Sequence, residues 1–238
     1  MKKFLSVIVI LLLIIAALLQ FVLPRVVESI LKNQIVNSTA ATAVEVSLSS
    51  HPDFRISLGE IDKVHATAAA GKIGEINFKN LALDGEKIRL DILEILFPNK
   101  DLSAQLRNQT VLKHADKIQL SGIITQEEIQ NFIANKDDNF KNAQVSLKPE
   151  GATATAQVKF FGRTVDLDIA GTFIAMNGDI YFHMTKLNSN SILSRVNIDT
   201  FLSDIKVLDS ANLPFGLKFE SVELRDGEAV ITAATAVK

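Results

Sequence analysis

The chain reads as α+β, with an N-terminal membrane helix followed by a long, curved antiparallel sheet of meanders and hairpins wrapped around a few helices. Three observations carry this reading. Phe4 to Leu23 is a run of twenty residues without a charge, long enough at about 1.5 Å per residue to cross the roughly 30 Å hydrocarbon core of a bilayer. From Val44 onward, apolar residues recur mainly at every second position, the period of a half-buried strand. Turn dipeptides such as Gly162-Arg163, Asn177-Gly178 and Asp226-Gly227 separate the alternating runs at hairpin spacing.

Lys2 and Lys3 precede the apolar run, a bias that keeps the N-terminus in the cytoplasm and sends the remainder across the membrane. The run exceeds the roughly 7 to 15 apolar residues of a cleavable leader, and its end offers no small-x-small cleavage site. A retained anchor over residues 1–24 is therefore favoured over a cleaved signal, with residues 25–238 as one extracytoplasmic domain. Taking Lys2 and Lys3 away with the anchor moves the formal charge from −2 to −4, so the domain lacks the basic footprint that nucleic acid requires. There is no cysteine, which excludes disulfides, thiolate chemistry and a thioether-linked lipid.

Directly after Pro24, Val26, Val27, Ile30, Leu31 and Ile35 fall on one side of a helix, with Glu28, Lys32 and Asn33 elsewhere. Such a stripe lies on lipid or packs on the following domain, and packing is the commoner fate. Strands are expected at Val44–Leu48, at Ile56–Leu58 after a turn at Ser50–Asp53, at Val64–Ala68, and at Ile76–Phe78 and Ile88–Leu90 about an Asp84-Gly85 turn. A short apolar segment, Ile92–Phe97, stops at Pro98, and Lys117–Ile124 is a further strand. Thr125-Gln-Glu-Glu128 is a capping box opening a helix over 125–135, with Thr125 as N-cap and Glu128 reaching back to its amide.

Placing Gly162 at the first position of a type II′ loop sets Phe160 against Val165, Val158 against Leu167, Ala156 against Ile169 and Ala152 against Phe173. A type I′ loop at Asn177-Gly178 sets Ala175 against Ile180, Phe173 against Phe182 and Gly171 against Met184. Residues 152–187 thus form a three-stranded meander, apolar on one side and carrying Thr153, Thr155, Gln157, Lys159, Asp166 and Asp168 on the other. Ser191–Leu208 returns to helical spacing. A last hairpin about Asp226-Gly227 pairs Leu224 with Ala229 and Val222 with Ile231, beside an Arg225–Glu228 charge pair.

No catalytic or metal signature accompanies this pattern. His51, His65, His114 and His183 lack zinc-ligand spacing. No nucleophile elbow, phosphate loop or dinucleotide fingerprint is present, and the Asp166–Asp168 pair offers too few oxygens for calcium. The expectation is a protein that is not an enzyme and needs no cofactor.

Pro52 to Leu58-Gly-Glu-Ile-Asp-Lys-Val64, Ile123-Ile-Thr-Gln-Glu-Glu-Ile-Gln-Asn-Phe132, and Leu213-Pro-Phe-Gly216 through Val222-Glu-Leu-Arg-Asp-Gly227 to Ile231-Thr-Ala233 occur in an order and spacing that resemble the LmeA-like family of bacterial envelope proteins. The resemblance spans about residues 24–236. It implies phospholipid binding on the outer side of the cytoplasmic membrane, in a fold similar to tubular lipid-binding domains, and no catalytic residues.

Two functions follow as expectations. In the first, a membrane phospholipid lays its acyl chains on the apolar meander face, lined by Val158, Phe160, Val165, Leu167, Phe173, Ile180 and Phe182, with Arg25, Lys32 or Arg163 at the head group. In the second, the sheet face is filled by the protein's own helices and the chain acts as an envelope assembly factor through protein partners.

Overall fold

The structure, a computed structural model, describes residues 22–96, 111–136, 142–160, 163–189 and 204–235. The apolar run ending at Leu23 lies almost wholly outside them, and among the described residues no helix is long and apolar enough to cross a membrane.

Helix α1 (Leu23–Thr39) opens with Pro24 in its first turn and ends at Ala40 in the left-handed conformation. Val27 and Leu31 are buried and Ile30 and Ile35 half-buried, whereas Arg25, Ser29 and Lys32 are exposed. The stripe packs on the domain except for Val26, which is exposed.

Seven strands form the larger sheet. They are β1 (Glu45–Ser49), β2 (Glu60–Ile73), β3 (Ile76–Leu90), β4 (Leu112–His114), β5 (Lys117–Thr125) and the two that close the chain, β11 (Lys218–Arg225) and β12 (Glu228–Ala234). Their order is β1-β2-β3-β5-β12-β11, with β4 also paired to β3. The smaller sheet runs β10-β9-β8-β7-β6, from β6 (Gln144–Lys148), β7 (Gly151–Phe160), β8 (Arg163–Met176), β9 (Asp179–Ser189) and β10 (Asp204–Leu208). Short helices α2 (Ile92–Leu96) and α3 (Gln126–Lys136) complete the described elements of regular structure, apart from 3-10 turns. One buried cluster runs from Val27 and Ile61 through Phe219 to Leu147 and Ile180, so both sheets share it. The Phe219 amide donates to the Gly178 carbonyl (2.9 Å) and the Gly227 amide to that of Leu147 (3.1 Å), which ties the sheets edge to edge.

Several hairpins keep their expected register. Phe173 pairs with Phe182, Ala175 with Ile180 and Gly171 with Met184. Asn177 (φ 54°) and Gly178 (φ 85°) both take the positive φ that a type I′ loop demands. Leu224–Ala229, Val222–Ile231 and Arg225–Glu228 also pair as expected.

Other elements differ, each for a physical reason. Asp53–Leu58 is a 3-10 helix, not a strand; Arg55 clasps Glu60 and Asp62 on β2 (3.0 and 3.2 Å), which turns the segment across the strand instead of along it. Asp84-Gly85 is not a turn. The hairpin turns at Gly74-Glu75, and β3 runs straight through Gly85, which pairs with Val64 on one side and Ile118 on the other. A Cβ on Gly85 would stand 2.5 Å from the Ile88 side chain, so glycine serves packing there. At the β7–β8 hairpin Phe160 pairs with Arg163, two residues before its expected partner Val165. Partners therefore shift by two: Val158 meets Val165, Ala156 Leu167, Ala154 Ile169 and Ala152 Gly171. A shift of two preserves the alternation, so the described side chains keep their expected faces.

Of the helix expected over 191–208, residues 191–203 lie outside the described residues, while Asp204–Leu208 is strand β10, pairing Ile205 with Phe182. At α3, the Glu128 amide donates to Thr125 Oγ1 (3.4 Å), but the Glu128 carboxylate accepts from Asn77 Nδ2 (2.8 Å) instead of closing the capping box.

Candidate functional site: an apolar groove beneath the first helix

Antiparallel register builds one apolar row across six strands of the larger sheet: Val46, Ala66, Leu83, Leu120, Ala233 and Phe219. Ala233 and Phe219 are buried (1 and 4 % exposed), as expected of such a row. Ala66 is buried as well, but Leu83 and Leu120, which sit mid-sheet, and Val46 on the edge strand β1 are only half-buried. The space above them is a groove of about 470 Å³. Leu31 and Ile35 of α1 form its roof, Val64 and Leu81 extend its floor, and Pro214 and Phe215 form a further wall. This volume lies in the range of small-molecule sites. A 150 Å³ apolar cavity holds a benzene, so by proportion the groove takes roughly nineteen carbon atoms, the size of one long acyl chain.

Polar groups gather where Thr39, Lys72 and Asn212 join the wall. Thr39 Oγ1 donates to the Ile35 carbonyl (2.7 Å), securing the last turn of α1. Lys72 is exposed and, among the described residues, pairs with no carboxylate. It is a cation at the edge of an apolar space, and sequence reasoning passed over it.

The Phe215 wall belongs to a strap made of two 3-10 turns, Ser210–Asn212 and Pro214–Gly216. Phe215 itself is left-handed (φ 55°, ψ 17°), an uncommon conformation for a bulky residue. Asp179 anchors the strap, accepting the Ser210 amide (2.9 Å) and an ion pair from Lys206 (2.9 Å). Burial pushes the Asp179 carboxyl up, and the Ser210 amide with the Lys206 ammonium overrules it, leaving the group below the ordinary carboxylate range. Lys206 is held correspondingly high by Asp179 and then Asp209.

On the outer side of α1 lies a polar hollow of about 530 Å³ that includes Arg25, Ser29, Lys32, Ser47 and His65. It shares Val46 and Thr67 with the groove, so Arg25 and Lys32 stand across the β1 edge from it. His65 Nδ1 bonds Asp84 (2.7 Å), and Ser29 and Ser47 make no hydrogen bond to the ring. His114 and His183 likewise bond Asp116 (2.9 Å) and Asp204 (2.7 Å) on exposed surface. Among the described residues no group of three or more His, Cys, Asp and Glu side chains could hold a metal ion.

Of the meander residues, Ile180 is buried in the shared cluster and half-buried Phe173 and Phe182 pack against it, while buried Val165 and half-buried Leu167 lie outside that cluster. The Phe173 and Phe182 rings pack with centroids 5.3 Å apart. None of these five lines the groove, which opens on the other sheet. The side chains of Val158, Phe160 and Arg163 lie outside the described residues.

A family model described as LmeA-like phospholipid-binding matches residues 18–234. No curated protein and no solved structure matches the chain.

Proposed function

We propose, since the chain belongs to the LmeA-like phospholipid-binding family, that the groove beneath α1 holds an acyl chain of a membrane phospholipid. Lys72 then meets the head group, with Arg25 and Lys32 beyond the β1 edge. The supporting observation is the half-burial of Val46, Leu83 and Leu120 in a row whose other end is fully buried. Aliphatic side chains left uncovered on a sheet face have an unmet gain of about 0.8 kcal/mol for each CH₂ that covers them. The apolar surface offered to lipid is in this reading the larger sheet, with the meander supplying core. Phe4–Leu23 anchors the domain, residues 25–238, outside the cytoplasmic membrane, beside the bilayer that supplies the ligand, in a role of envelope lipid handling without catalysis. Tethering makes capture a local event, so high affinity is not required.

The test is native mass spectrometry of the full chain and of Ala66→Phe, which places a ring in the groove. Phospholipid retained by the wild type and lost by the variant is the expected result. Equal retention by both would move the site elsewhere. No retained or exchangeable lipid in either would favour the assembly-factor reading, with the groove filled by another part of the chain.

A further inference from the structure

Most of the large apolar side chains that the described surface leaves exposed fall on three elements: Val22 at the N-cap of α1 and Val26 within it (49 and 38 %), Phe54 and Leu58 on the 3-10 turn (42 and 64 %), and Leu93 on α2 (70 %). These elements touch one another. Helix α1 packs against both the 3-10 turn and α2, and Leu58 and Leu93 wall one shallow hollow. Val22, the N-cap, has helical backbone angles (φ −98°, ψ −50°) and precedes Val26 by one turn, so the two lie on one side of the helix start. Apolar residues scattered singly on a surface need no explanation, but a cluster from three separate segments does.

The Arg55–Glu60–Arg89 network, with Arg55 also on Asp62, pins the 3-10 turn to β2 and β3 and so keeps Leu58 outward (2.8 to 3.2 Å). Lys113, paired with Asp91 (3.1 Å), and Arg89 border the hollow, while Arg25 stands beside Val26. Arg89 and Lys113 are each balanced by a carboxylate, so the exposed apolar side chains themselves carry the contact, as on a surface that lies in the headgroup region of a bilayer. The chain enters this patch at Val22, directly from an uncharged apolar run twenty residues long that ends at Leu23.

We infer that the patch formed by Val22, Val26, Phe54, Leu58 and Leu93 is a second membrane contact, which seats the folded domain on the bilayer surface. It fixes the domain's orientation, which an anchor alone leaves free. The inference is independent of what the groove binds.

The chain has no cysteine, so single cysteines carrying an environment-sensitive fluorophore can be placed at will. Full-length Leu58→Cys and Leu93→Cys, with Met176→Cys and Ile205→Cys as exposed controls on the other sheet, are reconstituted into phosphatidylglycerol–phosphatidylethanolamine vesicles. At 58 and 93 the expected result is a blue shift, quenching by lipid-borne quenchers, and several-fold less quenching by aqueous iodide than at 176 and 205. Equal aqueous quenching at all four positions overturns the inference. Protection from iodide at 58 and 93 without lipid-borne quenching also overturns it, and assigns the patch to a second copy of the chain. Lipid retention by the same proteins reports on the groove separately.

Discussion

Glu28 Oε1 accepts the backbone amide of Leu48 at 3.1 Å. The bond joins α1 to β1, the edge strand of the larger sheet. An edge strand presents unpaired amides, and covering them with a helix is one way to protect the edge. Here the covering helix is also the roof of the groove. Glu28→Ala should cost about 2 kcal/mol, the range for a hydrogen bond to a charged group. Chemical denaturation would measure that loss, and hydrogen exchange should show the Leu48 amide losing protection before the amides of β3.

Leu83 and Phe219 stand in the same row, and the groove separates their energetics. Phe219→Ala should cost about 3–5 kcal/mol because it empties a packed site. Leu83→Ala should cost under about 2 kcal/mol, since one side of Leu83 already faces open space and loses fewer contacts. Thermal denaturation of the pair checks the contrast. Equal losses would mean that no groove exists.

The strap carries an acid dependence through Asp179. Its folded pKa lies below the ordinary value, so its contribution is present above the unfolded pKa and is lost as pH falls through the folded one. Wild type should therefore exceed Asp179→Asn in stability by most above about pH 5, with the gap closing below about pH 4. Urea midpoints of both proteins across pH 3 to 7 measure this.

At the bulge between Ala170 and Gly171, a Cβ on Gly171 would stand 2.3 Å from the His183 carbonyl oxygen and 2.6 Å from the Phe182 ring. Backbone cannot yield as a flexible side chain does. Gly171→Ala should destabilise the smaller sheet by about 1–3 kcal/mol, whereas Gly227→Ala, whose Cβ meets nothing within 4 Å, should cost only the strain of its positive φ. Denaturation midpoints of the two variants test the difference.

The hairpins at Asn177-Gly178 and Asp226-Gly227 were legible because turn chemistry and alternation agreed within a few residues. The amphipathic stripe of α1 was equally legible, and so were the alternating apolar positions at Val46, Val64 and Ala66. The groove that these residues help to build was not. Asp84-Gly85 reads locally as a turn, and a turn there sets Leu83 against Glu86 instead of between Ala66 and Leu120, which breaks the row. Only pairing with β2 and β5 on both sides keeps β3 extended through Gly85 and places the turn at Gly74-Glu75. The helical spacing toward Leu208 failed similarly, since Asp204–Leu208 has β9 as a neighbour and joins it.

By itself the sequence determined that the domain is mostly antiparallel strand with few helices, along with many strand faces and the family resemblance, because these rest on periodicity and short-range turn preferences. The same periodicity pointed to one sheet wrapped around helices, where the structure has two sheets. The tertiary structure decided which apolar face is filled and which is left open. Alternation marks a face as apolar, but whether it becomes core or groove depends on what other elements lie over it. In this chain Ala152, Ile180, Phe173 and Phe182 of the meander join or pack on the shared core, while α1, held at the edge by Glu28, covers the larger sheet without filling it.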